Sequence, residues 1–352
     1  MDRVDGIYLG QAKPRDAAAA QAEILRLMQA PAVESTPEMR IALAEAAGSL
    51  NVQGAARLLI TQLRDDPSAD VRVAALRALQ ALKVPNMDEI MKIAVADTNA
   101  DVRRAALGIL PSLPLSDVAK AENLASVIRH GTVNDQQAGF EVLGTLKSSA
   151  AEKVLGSFFD ELVAGKLSPA VPLDLVDAMQ ANGSPALEAR LEAYRKTRSA
   201  PSLVLAFRDA LLQGGSASRG SETFVQNPAA ACTRCHSVRN AGSDVGPNLT
   251  DVGSRLTPEQ ILESLLEPSA RIAPGYGTVG IMLRNGQRVN GTLREETPTH
   301  IVVVMGTPAA EQRIAKSDIA ERTNPVSAMP PVGLILKPRD VRDLVAYLAT
   351  LR

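Results

Sequence analysis

A repeat in the first two hundred residues constrains this chain most. The run Asp66-Pro-Ser-Ala-Asp-Val-Arg-Val-Ala-Ala-Leu-Arg-Ala-Leu79 returns 31 residues later as Asp97-Thr-Asn-Ala-Asp-Val-Arg-Arg-Ala-Ala-Leu-Gly-Ile-Leu110. A partial copy precedes them at Pro37–Ala44, and a degraded one follows at Asn134–Leu143. A spacing of this size is one helical hairpin. Such a unit cannot bury its apolar face alone, so neighbouring copies must stack. Composition agrees with this. Apolar residues make up 45% of the chain, aromatics only 3%, and Trp is absent, so the core is built mainly from Ala, Leu and Val. That favours helices packed through small residues.

Within each copy, Asp66 or Asp97 is placed to cap a helix start, and the Val-Arg-x-Ala-Ala-Leu run supplies the apolar stripe. Arg72 and Arg103 hold equivalent positions and are expected to pair with acids of neighbouring repeats. The pattern resembles HEAT repeats. That resemblance implies an α-solenoid over residues 1–212, a right-handed stack of five or six antiparallel helix pairs that binds no cofactor.

Gly214-Gly-Ser-Ala-Ser-Arg-Gly-Ser221 reads as a linker, and a second domain is expected over 213–352. It opens with a short helix and a Cys-x-x-Cys-His segment, followed by helices broken by Pro and Gly. From about Thr278 the apolar period changes to two. Val279–Arg284 and Gln287–Leu293 flank Asn285-Gly286, a strong hairpin signal. Ile301–Met305 reads as a third strand, and Gln312–Ala315 and Ile319 as further ones. The β insertion is thus expected over about 277–324. Helical periodicity returns at Pro338–Leu351. The expected class is mainly α, a solenoid plus a helical domain carrying a small β insertion.

Cys232-Thr-Arg-Cys235-His236 carries the chemistry. Two thiols three positions apart can each add to a vinyl group of one macrocycle, and the next residue sets an imidazole under the iron. A dithiol redox pair would need a βαβ context that is missing. A zinc site would need a further ligand, and the chain has no third Cys. A chance match is the remaining alternative. Nine Met residues are present. Most fall in repeat helices or strands, whereas Met329 sits in the Pro-flanked loop Ser327-Ala-Met-Pro-Pro-Val-Gly333 before the closing helix. Two prolines stiffen that loop, which makes Met329 the candidate distal iron ligand.

The last domain resembles class I cytochrome c. Gly220-x-x-x-Phe224 precedes the cysteines, Val245-Gly-Pro-Asn-Leu249 follows His236, and Asp343-Leu-Val-Ala-Tyr-Leu348 matches a closing helix. The resemblance implies that Gly220 lets the first and last helices cross closely, with Phe224 and Tyr347 packed there. It also implies that the Pro247 carbonyl accepts a hydrogen bond from the His236 imidazole. Asn227-Pro-Ala-Ala lengthens the gap between Phe224 and Cys232. A closer resemblance is to the cytochrome c-like haem-binding domain of planctomycetes and verrucomicrobia. It is carried by Val245–Thr250, Glu267-Pro-Ser-Ala-Arg-Ile-Ala-Pro-Gly-Tyr276, the β insertion and Ser327–Leu334. Arg255, Arg271 and Tyr276 are candidates for holding haem propionates, or are surface and packing residues. Asn248 either supports a turn or meets the haem edge.

The expected function is electron transfer through one covalent haem c with His236 and Met329 on the iron, the repeats serving as scaffold or docking surface. An open distal position would instead suit a haem enzyme or a small-molecule sensor. A third reading makes the repeats a binding module. The chain is expected to be an electron carrier and not an enzyme, a piece of a larger exported, dehydrogenase-type protein. Its partner would be a redox protein or a fused dehydrogenase domain. The opening residues show no signal peptide, so the periplasmic assignment rests on the haem chemistry. A net charge of −1 gives no drive toward nucleic acid. No apolar run reaches the roughly 18 residues of a membrane span.

Overall fold

The computed structural model describes residues 17–30, 35–200, 203–306 and 310–352. The opening segment read for a signal peptide lies outside them. The protein is mainly helical, with a separate sheet. It divides into two compact units, one of residues 1–166 with 174–188, the other of residues 167–173 with 189–352.

The first unit contains α1 (Ala17–Met28), α2 (Pro37–Ser49), α3 (Ala56–Asp65), α4 (Ala69–Ala81), α5 (Met87–Val95), α6 (Ala100–Ile109), α7 (Asp117–His130), α8 (Val133–Thr145) and α9 (Ser149–Val163). Two further helices, α10 (Pro172–Asn182) and α11 (Pro185–Thr197), run across the division. Within the unit, α3 packs on α4, α5 on α6 and α7 on α8, as hairpin partners. From α2 to α9, helices two places apart also pack, so that α2, α4, α6 and α8 form one row and α3, α5, α7 and α9 another. The repeat period therefore appears as two rows of stacked helices. Leu59, Leu63, Leu76, Leu79, Leu124 and Leu143 are fully buried between them, each contributing about 1.5–3 kcal/mol. Small residues set the spacing: a Cβ on Gly144 would lie 2.8 Å from the Ala178 Cα.

Asp66 and Asp97 do not cap helices. The N-cap positions of α4 and α6 are Ser68 and Asn99. Each aspartate instead accepts from the backbone N–H two residues on, Ser68 N at 2.9 Å and Asn99 N at 2.7 Å. The carboxylates then face the preceding repeat. Arg40 of α2 pairs with Asp66, Arg72 of α4 with Asp97, and Arg103 of α6 with Asp135 of α8, at 2.8, 2.7 and 2.7 Å. Arg72 and Arg103 also donate to the backbone carbonyls of Asp66 and Asp97. A buried chain of hydrogen bonds thus runs from repeat to repeat, as expected for Arg72 and Arg103.

After α11, the second unit contains α12 (Leu203–Ala206) and α13 (Ala217–Gln226). It continues through β1 (Ser237–Val238), β2 (Ala241–Gly242), α14 (Val252–Arg255) and α15 (Pro258–Leu266), and closes on α16 (Pro338–Leu348). The segment read as a linker is not one. Ser216 caps α13 by accepting from Arg219 N, and Ala217–Ser221 are helical. Its glycines serve close approach. A Cβ on Gly215 would lie 2.7 Å from the Ala346 Cβ, and one on Gly220 would run into the Asp343 carbonyl oxygen and lie 2.7 Å from the Tyr347 Cβ. So α13 crosses α16 backbone to backbone, with the Phe224 and Tyr347 rings 5.7 Å apart. Asp343, almost fully buried, fastens the crossing by accepting from Ser216 N and Arg219 Nε.

Between α15 and α16 lies the sheet. Its strands are β3 (Gly277–Leu283), β4 (Arg288–Glu296), β5 (His300–Met305), β6 (Ala310–Ala315), β7 (Ile319–Arg322) and β8 (Val326–Ser327). The order is β6-β5-β4-β3-β7, all antiparallel, with β8 also on β3. Alternating burial along β3 matches the period-2 reading. Val279, Ile281, Val289, Ile301, Val303 and Ile314 form the sheet's own core. In the first hairpin only Gly286 takes positive φ. Gly286 N donates to Leu283 O, and Leu283 N to Gln287 O, giving a three-residue loop rather than a two-residue turn.

Candidate functional site

Asn227 starts the site. It ends α13, and its side-chain oxygen accepts from the N–H groups of Ala229 and Ala230. The lengthening piece Asn227-Pro-Ala-Ala is therefore a tight turn, and Ala231 leaves it in the left-handed region at φ 45°. Cys232–Arg234 form a short 3-10 turn, extended by a hydrogen bond of 2.9 Å from His236 N to Cys232 O. One helical turn sets positions i, i+3 and i+4 on a common face. Those positions are Cys232, Cys235 and His236. Both cysteines are free; Cys232 is half-buried and Cys235 exposed. Burial pushes the Cys232 thiol above its ordinary pKa.

A second segment wraps the imidazole. β1 and β2 form a two-residue hairpin whose central residues, Arg239 and Asn240, both have positive φ, at 47° and 66°. The chain then folds back beneath His236. Gly246 N donates to Cys235 O at 2.6 Å. A Cβ on Gly246 would lie 2.9 Å from the His236 Cε1, so only a bare backbone fits against the ring. The Pro247 carbonyl lies 2.8 Å from His236 Nδ1. A carbonyl can only accept, so Nδ1 carries the proton and the lone pair of the neutral ring is on Nε2. Buried Ser237 braces the loop: its hydroxyl donates to Asp244 and accepts from the Asn248 amide, and its carbonyl accepts from Leu249 N.

Asn248 supports this turn, accepting from Thr250 N at 2.8 Å. Arg255 is exposed, pairs with Asp251 at 2.9 Å and donates to the Asn248 carbonyl. Cys232, Cys235, His236, Pro247, Asn248 and Arg255 therefore share one hydrogen-bonded frame. Arg271, Tyr276 and Met329 belong to another part of the unit. Arg271 is exposed and lies 3.4 Å from Glu263. Half-buried Tyr276 leads into β3, its N–H bonded to Ala273 O. Half-buried Met329 follows β8, and its N–H is held by Ser327 Oγ at 3.1 Å. Gly246, Ser237 and Ser327 were not singled out from the sequence. Of these only Gly246 left a signal, a glycine directly before the proline whose carbonyl meets the imidazole.

Among the described residues, no three His, Cys, Asp or Glu side chains are grouped so as to hold a metal ion. Nor is any helix among them long and apolar enough to cross a membrane. His130 lies in α7, bonded to the Ser126 carbonyl, and His300 lies in β5 beside Thr297.

No protein-family model matches the chain, and no curated protein matches it. Among solved structures it is similar to human deoxyhypusine hydroxylase in complex with glycerol, at 19% identity over 55% of this chain and 87% of that one, with a TM-score of 0.23. These findings correct two expectations. Membership of the cytochrome c-like families does not hold, and no metal-holding group among the described residues supports it. The quoted runs are short, and each is explained by local demands: a turn, a bare backbone against a ring, a close helix crossing. The exclusion of enzymatic activity is also withdrawn: one structure the chain is similar to is that of an enzyme, and no observation supports excluding such activity. At that TM-score the likeness assigns no activity.

Proposed function

We propose that Cys232, Cys235 and His236 hold one covalent haem of the c type and that the protein transfers single electrons. The observation that carries this reading is the His236 imidazole, tied at Nδ1 to Pro247, with Nε2 left as the donor atom on the turn that bears both thiols. The donor set fits the group. Each thiol adds across one vinyl group, sulfur to one carbon and its hydrogen to the other, with no oxidant consumed. A bound haem would supply a ferric/ferrous couple.

The protein's own contribution is orientation and cover. The Pro247 carbonyl fixes the orientation and tautomer of the ring. Gly246 closes one side of the ring. Val245, Val326, Leu334 and Ile335 stand exposed on the segments that flank His236 and Met329. That is apolar surface for a large flat ligand to cover. Met329, on its two-proline loop, is the sixth donor in this reading. The stacked helices serve as scaffold or docking surface for a redox partner, and attachment takes place in an exported compartment.

The test is export of the full chain in a host that matures c-type haem, followed by haem staining on a denaturing gel. Wild type is expected to stain and to cycle reversibly by one electron, and Cys232→Ser with Cys235→Ser to lose all stain. An unstained wild type, or a stained double variant, overturns covalent attachment. Ferrous protein that binds carbon monoxide freely overturns the closed electron carrier in favour of a haem enzyme or sensor.

A further inference from the structure

The sheet leaves the proposed haem unit at Tyr276 and returns to it at Val326, and the return passes directly into the Met329 loop. β8 pairs with the first two residues of β3, Gly277 with Ser327 and Thr278 with Val326. Two serines complete the attachment. Ser327 N donates to the Ser269 hydroxyl at 3.1 Å, and the Ser327 hydroxyl in turn accepts from Met329 N at 3.1 Å. Ser269 stands in the turn Glu267-Pro-Ser-Ala, which closes on itself through Ala270 N to Glu267 O. That turn follows α15, which packs on α16. Gly333, downstream of Met329, is also pinned, since a Cβ there would lie 2.7 Å from Leu266 Cδ2 of α15. The loop from 327 to 333 is therefore held at both ends by the α15 region, and by the sheet at its start.

From this we infer that the β insertion is a positioning device for Met329, with Ser269 and Ser327 as the positioning residues. The inference rests on the haem reading above and gives the sheet a task within it. The sheet contributes no donor atom. β3 offers an edge on which β8 sets the register of the loop. The two hydroxyls transmit that register to the Met329 backbone, which fixes where the thioether starts from. A one-residue slip of β8 on β3 would turn its own side chains, Ser327 among them, to the opposite face, so two polar anchors beside a two-residue strand have a clear use. Neither serine has side-chain chemistry suited to an iron.

Ser327→Ala, Ser269→Ala and Ser327→Thr in the full chain test this, with Met329→Ala as reference. In matured ferrous protein, each alanine variant is expected to bind carbon monoxide about fivefold faster, the shift in open population that one lost hydrogen bond gives. The far-red charge-transfer band of sulfur-ligated ferric haem should weaken in both alanine variants, survive in Ser327→Thr and vanish in Met329→Ala. In haem-free chain, exchange of the Met329 amide should quicken about fivefold in Ser327→Ala. Unchanged carbon monoxide rates and band, with Met329→Ala still losing the band, overturn the positioning role and leave the haem reading intact. A wild type without covalent haem overturns the haem reading and Met329's ligand role with it, and amide exchange then reports separately whether the serine clamp exists. An unchanged exchange rate of that amide in Ser327→Ala overturns the clamp itself.

Discussion

Arg72→Met removes the middle link of the hydrogen-bonded chain through the helical unit while keeping an unbranched stem of similar reach. Arg72 gives two parallel bonds to Asp97, of 2.7 and 2.8 Å, and a third to the Asp66 carbonyl at 2.8 Å. Only 11% of the Arg72 side chain and 8% of the Asp97 side chain reach solvent. Loss of the guanidinium leaves a buried carboxylate with the Asn99 N–H still bonded to it, and such a change costs about 3–5 kcal/mol. Arg104→Met is the control. Its pair with Asp101 is exposed, so it should cost no more than about 0.5 kcal/mol. Asp97→Asn added to Arg72→Met should recover part of the loss, giving a coupling energy of about 2 kcal/mol. Acid provides an independent sign. Burial alone would raise the Asp97 pKa, but the Arg72 and Asn99 hydrogen bonds outweigh it and hold it below the ordinary value. The pair's stability is therefore present above the unfolded carboxylate pKa, about 3.9, and is lost as pH falls through the lower folded value. In Arg72→Met the burial effect is left less opposed, so the gap to wild type should narrow as pH drops below about 4. Native-state hydrogen exchange of slow amides in α4 and α6 reads this without requiring the two units to unfold together. A loss below about 1 kcal/mol at neutral pH, the level of an exposed pair, would refute the reasoning.

Gly220→Ala should force α13 from α16 and cost the second unit about 1–3 kcal/mol; an unchanged apparent melting temperature of the full chain would show that the crossing yields freely. Glu296 bonds to Arg322 and Lys316, which hold its pKa down at about 2 against burial. Its contribution to the sheet should be intact above the ordinary glutamate value of 4.5 and fade as pH falls toward 2. Glu296→Gln should flatten that stretch of the acid titration, followed by exchange of β4 and β5 amides, and an identical acid limb would count against the network.

What could be read from the residues was whatever depends on period. The 31-residue spacing becomes stacked helix rows, and the alternation after Thr278 becomes β3 to β7, with ends shifted by up to three residues. Arg72 and Arg103 were legible as inter-repeat partners because an arginine recurring inside an apolar stripe needs a recurring acid. Glycine was the least legible residue. Gly214–Ser221 has the composition of a flexible linker, yet Gly215 and Gly220 are where two helices touch, and composition does not tell lost side chain from gained freedom. The β1–β2 hairpin escaped notice because Arg239-Asn240 lacks the usual glycine. β8 escaped because two residues show no period, and its pairing depends on β3, some fifty positions earlier.

The Cys-x-x-Cys-His segment divides along the same line. Its five residues specify which atoms can react, but nothing in them fixes the environment of the thiols or the number of further ligands that converge on them, and those bear on its rival uses. A dithiol exchange pair works through a thiolate of lowered pKa near a helix N-terminus or a cation. Cys232 is displaced the other way, burial raising the pKa of its thiol. A zinc site of this donor set needs further ligands converging on one point, and the described residues contain no such group. Attachment of a macrocycle makes neither demand. It uses two reduced thiols on one face of a turn and an imidazole whose Nε2 is unprotonated, and the tie from Nδ1 to the Pro247 carbonyl selects that tautomer. The tautomer that leaves Nε2 free to bind any metal is thus set eleven residues downstream, by the Pro247 carbonyl that a glycine-first loop brings beneath the ring.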